Sequence, residues 1–233
     1  MERLGTNAKT PPQVLIIYYS FSGQTTGLLN HLSIGLKRKG VDVTLEKLRP
    51  LNPPRFPIGA ILPTVKMMVT TTFRQRLPIR EPEGGNWAGY NLLILAGPTW
   101  SYNPSGPVLD LIDRFGSRLL GGRIVLPLIS CRGYWRVHWF GLKRLLLGCG
   151  AVVPNKIIFS HPAPEPWRTI GVFLKIVGKA PERSPLIGRY YKRFGHSKEQ
   201  LAEAERLGAL IADAMIKGQS LAELDLESTV AMP

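Results

Sequence analysis

Three short segments of this chain gather residue types that could do chemistry. The first, Ser20-Phe21-Ser22-Gly23-Gln24-Thr25-Thr26, sets four hydroxyls around a glycine. A phosphate monoester is held by several directed donors, and hydroxyls with free amides at a helix N-terminus supply them. Gly23 lets the backbone approach closely. The segment has no lysine and no GxxxxGK[ST] pattern, which argues against a nucleoside triphosphate loop. A hydroxyl-rich turn also caps helices without any ligand, so alone it decides nothing.

The second segment, Gly97-Pro98-Thr99-Trp100-Ser101-Tyr102-Asn103, offers aromatic faces. A flat heteroaromatic ring stacks on such faces for roughly 0.5–1.5 kcal/mol beyond area burial. Trp100 is the first candidate and Tyr102 the second, with packing over the sheet as the alternative for Trp100. Pro98 and the pair Asn103-Pro104 suit a rigid turn whose backbone groups address a ring's polar edge. The third segment, Ser130-Cys131-Arg132-Gly133-Tyr134-Trp135, joins a thiol, a fixed positive charge and further aromatics. Arg132 would lower the pKa of Cys131, although the ordinary role of such a cysteine is packing.

Each segment follows an apolar run of strand length and opens a helical pattern. Residues 14–19, 92–96 and 124–129 are nearly continuous apolar runs, as in strands covered on both faces. Pro127 is awkward there because it removes a ladder donor. Residues 41–45 alternate and read as a more exposed neighbour, and a fifth strand is expected within 152–159. Helices are expected over 25–39, 107–115 and 135–147, and over about 198–217. The first carries Leu28, Leu29, Leu32 and Leu36 on one face with Gly40 at its stop, and the last opens on a Ser197/Gln200 capping box. This alternation predicts an α/β protein with a doubly wound parallel sheet, whose ligands sit beyond the carboxyl ends of the strands.

Two stretches break the rhythm, a proline-rich one at 49–90 and a basic one at 161–196. Within them, 58–73 and 167–179 are apolar bodies edged by Lys66, Arg74, Arg76 and Arg80 and by Arg168, Lys175 and Lys179. Two helices folded onto the domain are the plain reading. An interfacial helix or the mouth of an apolar substrate pocket is the functional one.

Composition sets outer bounds. With 233 residues, 44% hydrophobic and 20% charged, the chain suits a cored globular protein. Two cysteines without a CxxC make no disulfide framework and fit a reducing, cytoplasmic setting. His31, His138, His161 and His196 are scattered without metal-ligand spacing, so no metal site is expected, and His138 reads as a partly buried structural residue. Asp110 and Asp113 beside Arg114 read as surface charge. Residues 1–12 lack the apolar run of a signal peptide, and no stretch nears the roughly 18–20 apolar residues of a membrane span. The net charge of +14 is concentrated: residues 132–193 hold 12 basic residues against 2 acidic, whereas 194–233 hold 3 against 7. Such a block attracts phosphates, acidic proteins or an acidic membrane surface to which the protein would be peripheral. No nucleic-acid recognition motif accompanies it.

The run Ser20-Phe21-Ser22-Gly23-Gln24-Thr25 is similar to the phosphate loop of the flavodoxin family, [TS]-x-[TS]-G-x-T, which holds the FMN phosphate without a basic side chain. Gly97-Pro98-Thr99-Trp100 looks like that family's ring-flanking loop, and the third segment matches the loop closing over the other ring face. Arg132 departs from the acidic pattern usual there; it would favour an anionic reduced flavin and argues against a very low-potential shuttle.

The resemblance covers about 14–160 and the final helix. It implies a flavodoxin-like five-stranded parallel sheet in the order 2-1-3-4-5, in one domain over 1–233 that carries both insertions. It further implies FMN as cofactor. Ser20, Ser22, Gly23, Gln24, Thr25 and Thr26 would anchor the phosphate. Pro98, Thr99, Trp100, Ser101, Tyr102 and Asn103 would lie along one ring face, and Ser130, Cys131, Arg132, Gly133 and Tyr134 along the other, with Trp100 and Tyr134 flanking the ring.

The implied activity is electron or hydride transfer with NAD(P)H or a protein as donor and a small molecule or protein as redox partner. The insertions and motif order also resemble flavodoxin-related dialkylresorcinol-condensing enzymes, which implies instead a protein with little or no flavin in biosynthesis of lipid-like aromatics, for which the insertions would form an acyl-chain site. A noncatalytic electron carrier is the third reading.

Overall fold

The computed structural model describes residues 11–83 and 87–233; most of the polar N-terminal segment discussed above lies outside the described residues. In chain order the elements are β1 (Gln13–Tyr18), α1 (Gln24–Arg38), β2 (Asp42–Lys47), α2 (Ile61–Thr72) and β3 (Leu92–Trp100). They continue with β4 (Asn103–Pro104), α3 (Gly106–Leu120), β5 (Val125–Cys131), α4 (Trp135–Gly148), β6 (Ile157–Ser160), α5 (Trp167–Ile176) and α6 (Lys198–Lys217).

The strands form a parallel sheet in the order β2-β1-β3-β5-β6, and the two-residue β4 folds back antiparallel on β3. Leaving β4 aside, this is the expected 2-1-3-4-5 order of a flavodoxin-like α/β fold. The apolar runs alternate between two cores. Val14, Ile16, Ile94 and Leu126 pack under α1 and α6, while Leu15, Ile17, Leu93, Leu95 and Ile129 pack under α3 and α4. Burial on both faces is why these strands read as continuous apolar runs.

Pro127 sits in a central strand without an unmet ladder bond. The Val125 N–H points towards the β6 side, donating to Val152 O (2.8 Å). Amide directions repeat every second residue, so the missing Pro127 donor would face that side too. There β6 has not begun: its pairing with β5 starts at Leu128 and Ile157. The fifth strand, expected within 152–159, runs over Ile157–Ser160, after Pro154 and Asn155, and only an isolated Ile124–Val152 bridge precedes it.

Helix α6 opens as expected. The Gln200 N–H donates to Ser197 Oγ (3.2 Å) and the Ser197 N–H to Gln200 Oε1 (3.1 Å). The Gln200 side chain also donates to Ser160 O (2.8 Å) and Ala231 O (3.1 Å), fastening the helix start to the end of β6. Further along, α1 and α6 approach backbone to backbone. A Cβ on Gly208 would lie 2.2 Å from Leu32 O, and one on Gly35 would lie 2.0 Å from Glu205 O.

The first insertion is pinned to α3 by a carboxylate that sequence alone assigned to the surface. Asp110 is 5% exposed. Its Oδ2 accepts from the Ile79 N–H (2.9 Å) and from Arg114 (3.1 Å), and Arg114 also donates to Ile79 O (2.9 Å). The correction has a simple cause: the segment bearing Ile79 folds over α3 and brings a backbone donor that the carboxylate satisfies. Asp113 remains at the surface, paired with Arg76 (2.6 Å).

Replacing Gly208 with alanine forces α6 off α1. The substitution is expected to cost about 1–3 kcal/mol of unfolding free energy, read as a lower urea midpoint at unchanged slope. An unshifted midpoint would show that the helices do not need this contact.

Candidate functional site

The carboxyl ends of β1, β3 and β5 converge on one cleft. After β1 the chain turns through the hydroxyl-rich segment and enters α1, with Gly23 as N-cap in the left-handed region (φ 84°, ψ −13°). A Cβ on Gly23 would meet nothing within 4 Å, so conformation rather than crowding requires glycine. The Gly27 N–H is the first to find a helical acceptor, Gly23 O (3.0 Å). The amides of Gln24 and Thr25 therefore lie at the unsatisfied, positive end of a 15-residue helix whose first turn contains no acidic residue. Ser20 stiffens the turn, its Oγ accepting from the Thr26 N–H (3.4 Å).

The cleft encloses about 620 Å³ open to solvent. Ser22, Gln24 and Thr25 line it from the first loop, Pro98, Thr99 and Trp100 from the second, and Ser130, Cys131 and Arg132 from the third. The fold thus brings nine of the sequence-nominated residues around one space. Ser20, Gly23 and Thr26 shape the first loop itself, and the other five lie elsewhere. Ser101 turns away to α2, sharing a hydrogen bond with Thr71 Oγ1 (2.7 Å) and donating to Met68 O (2.9 Å). Asn103 is buried, accepting from Arg74 Nε (3.0 Å) and donating to Thr71 O and Thr72 O (3.1 Å each). Gly133 lies under the Arg168 guanidinium. Tyr102 and Tyr134 meet edge to face (ring centroids 5.6 Å) and line a neighbouring apolar groove of about 1250 Å³.

Both insertions add walls: Phe56 and Phe194, which sequence did not nominate, and Val172 and Ile176 from the 167–179 stretch that it offered as the mouth of an apolar pocket. Phe56 stacks on Phe194 (5.5 Å, 10° between planes) and meets Phe21 edge to face (5.1 Å); Phe21 in turn meets Trp100 (5.6 Å). Val172 and Ile176 of α5 line the cleft and the groove alike, as do Thr99, Trp100 and Arg132. The two spaces share one wall, and Trp100 stands in it.

His161, just beyond the carboxyl end of β6, was the residue most clearly missed. It is 3% exposed, stacks on Tyr191 (4.9 Å) and lines the cleft. The Ala163 N–H donates to its Nδ1 (3.1 Å), so the neutral ring carries its proton on Nε2. That Nε2 is buried without a protein partner, and so is Nε of Arg132. A buried donor left unmet costs about 1–3 kcal/mol. Both residues line the same cleft as Gln24 and Thr25, so it gathers donors that lack acceptors. Arg132, Arg168 and Arg193 place positive charge near it, opposed by Glu165, which pairs with Arg168 (3.1 Å).

Ser130 is polarised differently. His196 Nδ1 faces Gln200 Oε1 (3.2 Å), an acceptor, so Nδ1 holds the proton and His196 Nε2 accepts from the Ser130 hydroxyl (3.0 Å). Ser130 consequently offers lone pairs to the cleft. Cys131 is no nucleophile: burial pushes its thiol up to about 12, outweighing the lowering by Arg168 and Arg132. His138 is fully internal, hydrogen-bonded through Nδ1 to Thr99 Oγ1 (2.7 Å), where it supports the second loop.

No protein-family model matches the sequence, and no curated protein does. Among solved structures, a flavoprotein in complex with FMN from Lactobacillus acidophilus is similar over 62% of this chain and 91% of its own, at 18% identity and a TM-score of 0.50. A flavoprotein described as putative from Bacteroides eggerthii covers 72% of this chain and 99% of its own (16%, TM-score 0.49), and a flavodoxin from the Archaea covers 88% and 99% (13%, TM-score 0.47). At these identities the first likeness speaks for the fold alone, in agreement with the strand order.

Burial pushes the His138 imidazole down to about 3 and those of His161 and His196 down to about 4. The folded protein keeps these rings neutral, while the unfolded chain protonates them near the ordinary 6.5. Their contribution to stability is therefore complete above that pH and lost as pH falls towards the folded values. Urea midpoints measured from about pH 7 down to about pH 4.5 are expected to fall steadily, with a shallower slope in His138→Gln. A flat profile would contradict the burial of neutral histidines.

Proposed function

We propose that this chain binds FMN noncovalently and works as an oxidoreductase, passing electrons or hydride between NAD(P)H or a protein donor and an acceptor in the neighbouring groove. One observation carries the reading. A lysine-free cradle, made by Ser22, Thr25 and the free amides opening α1, shares a cleft walled by Trp100 with His161 and Arg132, each of which holds a buried donor without a protein partner. An anion with further acceptor atoms and a flat apolar body satisfies all of these groups together. The residues present fit FMN, and the solved Lactobacillus structure with a similar fold is a complex with FMN.

In this reading Ser22, Gln24 and Thr25 hold the phosphate through hydroxyl and amide donors, aided by the dipole of α1. Trp100 supplies a ring face, and Ser130 offers its lone pairs to a donor on the bound molecule. His161 Nε2 and Arg132 Nε each donate to an acceptor. When bound, FMN supplies the redox chemistry, and the protein orients it and sets its potential. The charge of Arg132 favours the more negative, reduced form and so raises that potential. The Phe21, Phe56 and Phe194 cluster keeps water from the cradle.

A second reading rests on the groove. Its lining by Val65, Met68, Val69, Val172, Phe173 and Ile176 suits an acyl chain, as the likeness to dialkylresorcinol-condensing enzymes implies. The same residues then bind a lipid-like aromatic beside Trp100.

Denaturing the purified protein and identifying what it releases tests the flavin reading. The expected chromophore is FMN, and Thr25→Val is expected to retain the fold while losing about tenfold in flavin affinity, the scale of one lost bond to a charged acceptor. A colourless protein that takes up no added FMN would overturn the assignment.

A further inference from the structure

Helix α2 is worn inside out. Its polar residues Thr64 and Thr71 face the protein, being 0% and 6% exposed. Their hydroxyls are absorbed locally, Thr64 Oγ1 donating to Ala60 O (2.7 Å) and Thr71 Oγ1 engaging Met67 O (2.8 Å) and Ser101 Oγ (2.7 Å). The outward stripe is apolar instead. Leu62 and Phe73 are each 80% exposed, and Ile61, Val65 and Val69 are exposed too. Positions 62, 65, 69 and 73 recur at the spacing of one helical face. A surface helix of a protein bathed only in water places these faces the other way round.

The charge around this ridge is one-sided. Residues 55–80 contain five basic residues and no acidic one. Arg55, Lys66 and Arg80 are exposed and, among the described residues, have no ion-pair partner. The second insertion joins the same surface: the Ile58 N–H donates to Ile176 O (2.8 Å), and Gly178 lies against Pro57 and Gly59. Lys179 follows directly on that contact, and the same insertion carries Arg183, Arg189 and Lys192, all exposed. On α4, whose Gly141 abuts Arg74, Val137 and Phe140 are exposed too. Among the described residues no helix is long and apolar enough to cross a membrane.

We propose that this surface docks on an anionic lipid bilayer, with the outward stripe of α2 lying in the headgroup region and the basic residues of both insertions on lipid phosphates. An apolar ridge bordered by lysine and arginine is the pattern of an interfacial helix, and basic residues near an anionic leaflet add attraction that salt weakens. A second copy of this chain is disfavoured as the occupant, since a two-fold contact would set one basic ridge against another. Docking also turns the mouth of the groove, lined by Val65, Met68 and Val69 of the same helix, towards the bilayer. The inference does not depend on the flavin reading.

The test is sedimentation of the full-length protein with vesicles of phosphatidylcholine alone or mixed with phosphatidylserine. The protein is expected to bind the mixed vesicles at least about tenfold more tightly, and high salt or the double substitution Leu62→Ser, Phe73→Ser to remove at least about tenfold of that affinity. Both side chains point to solvent, so the variant is expected to keep its thermal midpoint and any ligand it carries. Failure to bind mixed vesicles overturns the proposal. So does equal binding by the double variant, or a dimer in sedimentation velocity that this variant dissolves.

Discussion

A helix that begins at the carboxyl end of a buried parallel strand leaves its first amides without acceptors, and the rest of this molecule is arranged around that deficit. Gly23 makes the sharp turn from β1 into α1 by adopting a left-handed conformation, and the residues behind it, Gln24 and Thr25, line the cleft. The same convergence of strand ends that opens the cleft buries His161 and the Nε of Arg132 with hydrogens to spare. Each of these groups is costly alone. Together they form a positive, donor-rich pocket whose cost falls when an anion enters.

The second constraint is the join between Trp100 and α2. The β3–β4 hairpin turns through Ser101 and Tyr102, both at positive φ (43° and 70°), the pattern of a type I′ turn that normally favours asparagine and glycine. Left-handed conformations cost such residues about 1–2 kcal/mol each. What offsets this is a polar lattice in which Ser101 and Asn103 grip the carbonyls and hydroxyls of α2. The threonines of α2 are committed to that lattice, and its apolar face is left to look outward. Trp100, the groove and the exposed ridge are thus coupled through one short turn, which places an apolar surface beside the candidate redox cleft.

Much of this was legible in the sequence because local order and spatial order coincide in a doubly wound fold. The three loops lie directly after apolar runs, so the rule that ligands sit beyond strand ends located them, and the strand order followed. His161 is also just past a strand, at 157–160, and the same rule applied to the fifth strand would have found it. Asp110 misled because its partner, the Ile79 amide, is remote in sequence and carries no side-chain signal. Phe56 and Phe194 reach the cleft from the two irregular insertions, where no periodicity fixes a direction. The inversion of α2 did leave a trace: Thr64 and Thr71 are seven residues apart on one face, opposite the apolar positions 62, 65 and 69.

The account stands on the claim that the opening of α1 is a phosphate site. Calorimetric titration of the ligand-free protein with FMN and with riboflavin isolates that group, since the two differ only by the phosphate. The account predicts that FMN binds at least about tenfold more tightly, as expected for charge-assisted bonds to a dianion. Equal affinity for the two, or binding of neither by the folded protein, would contradict it.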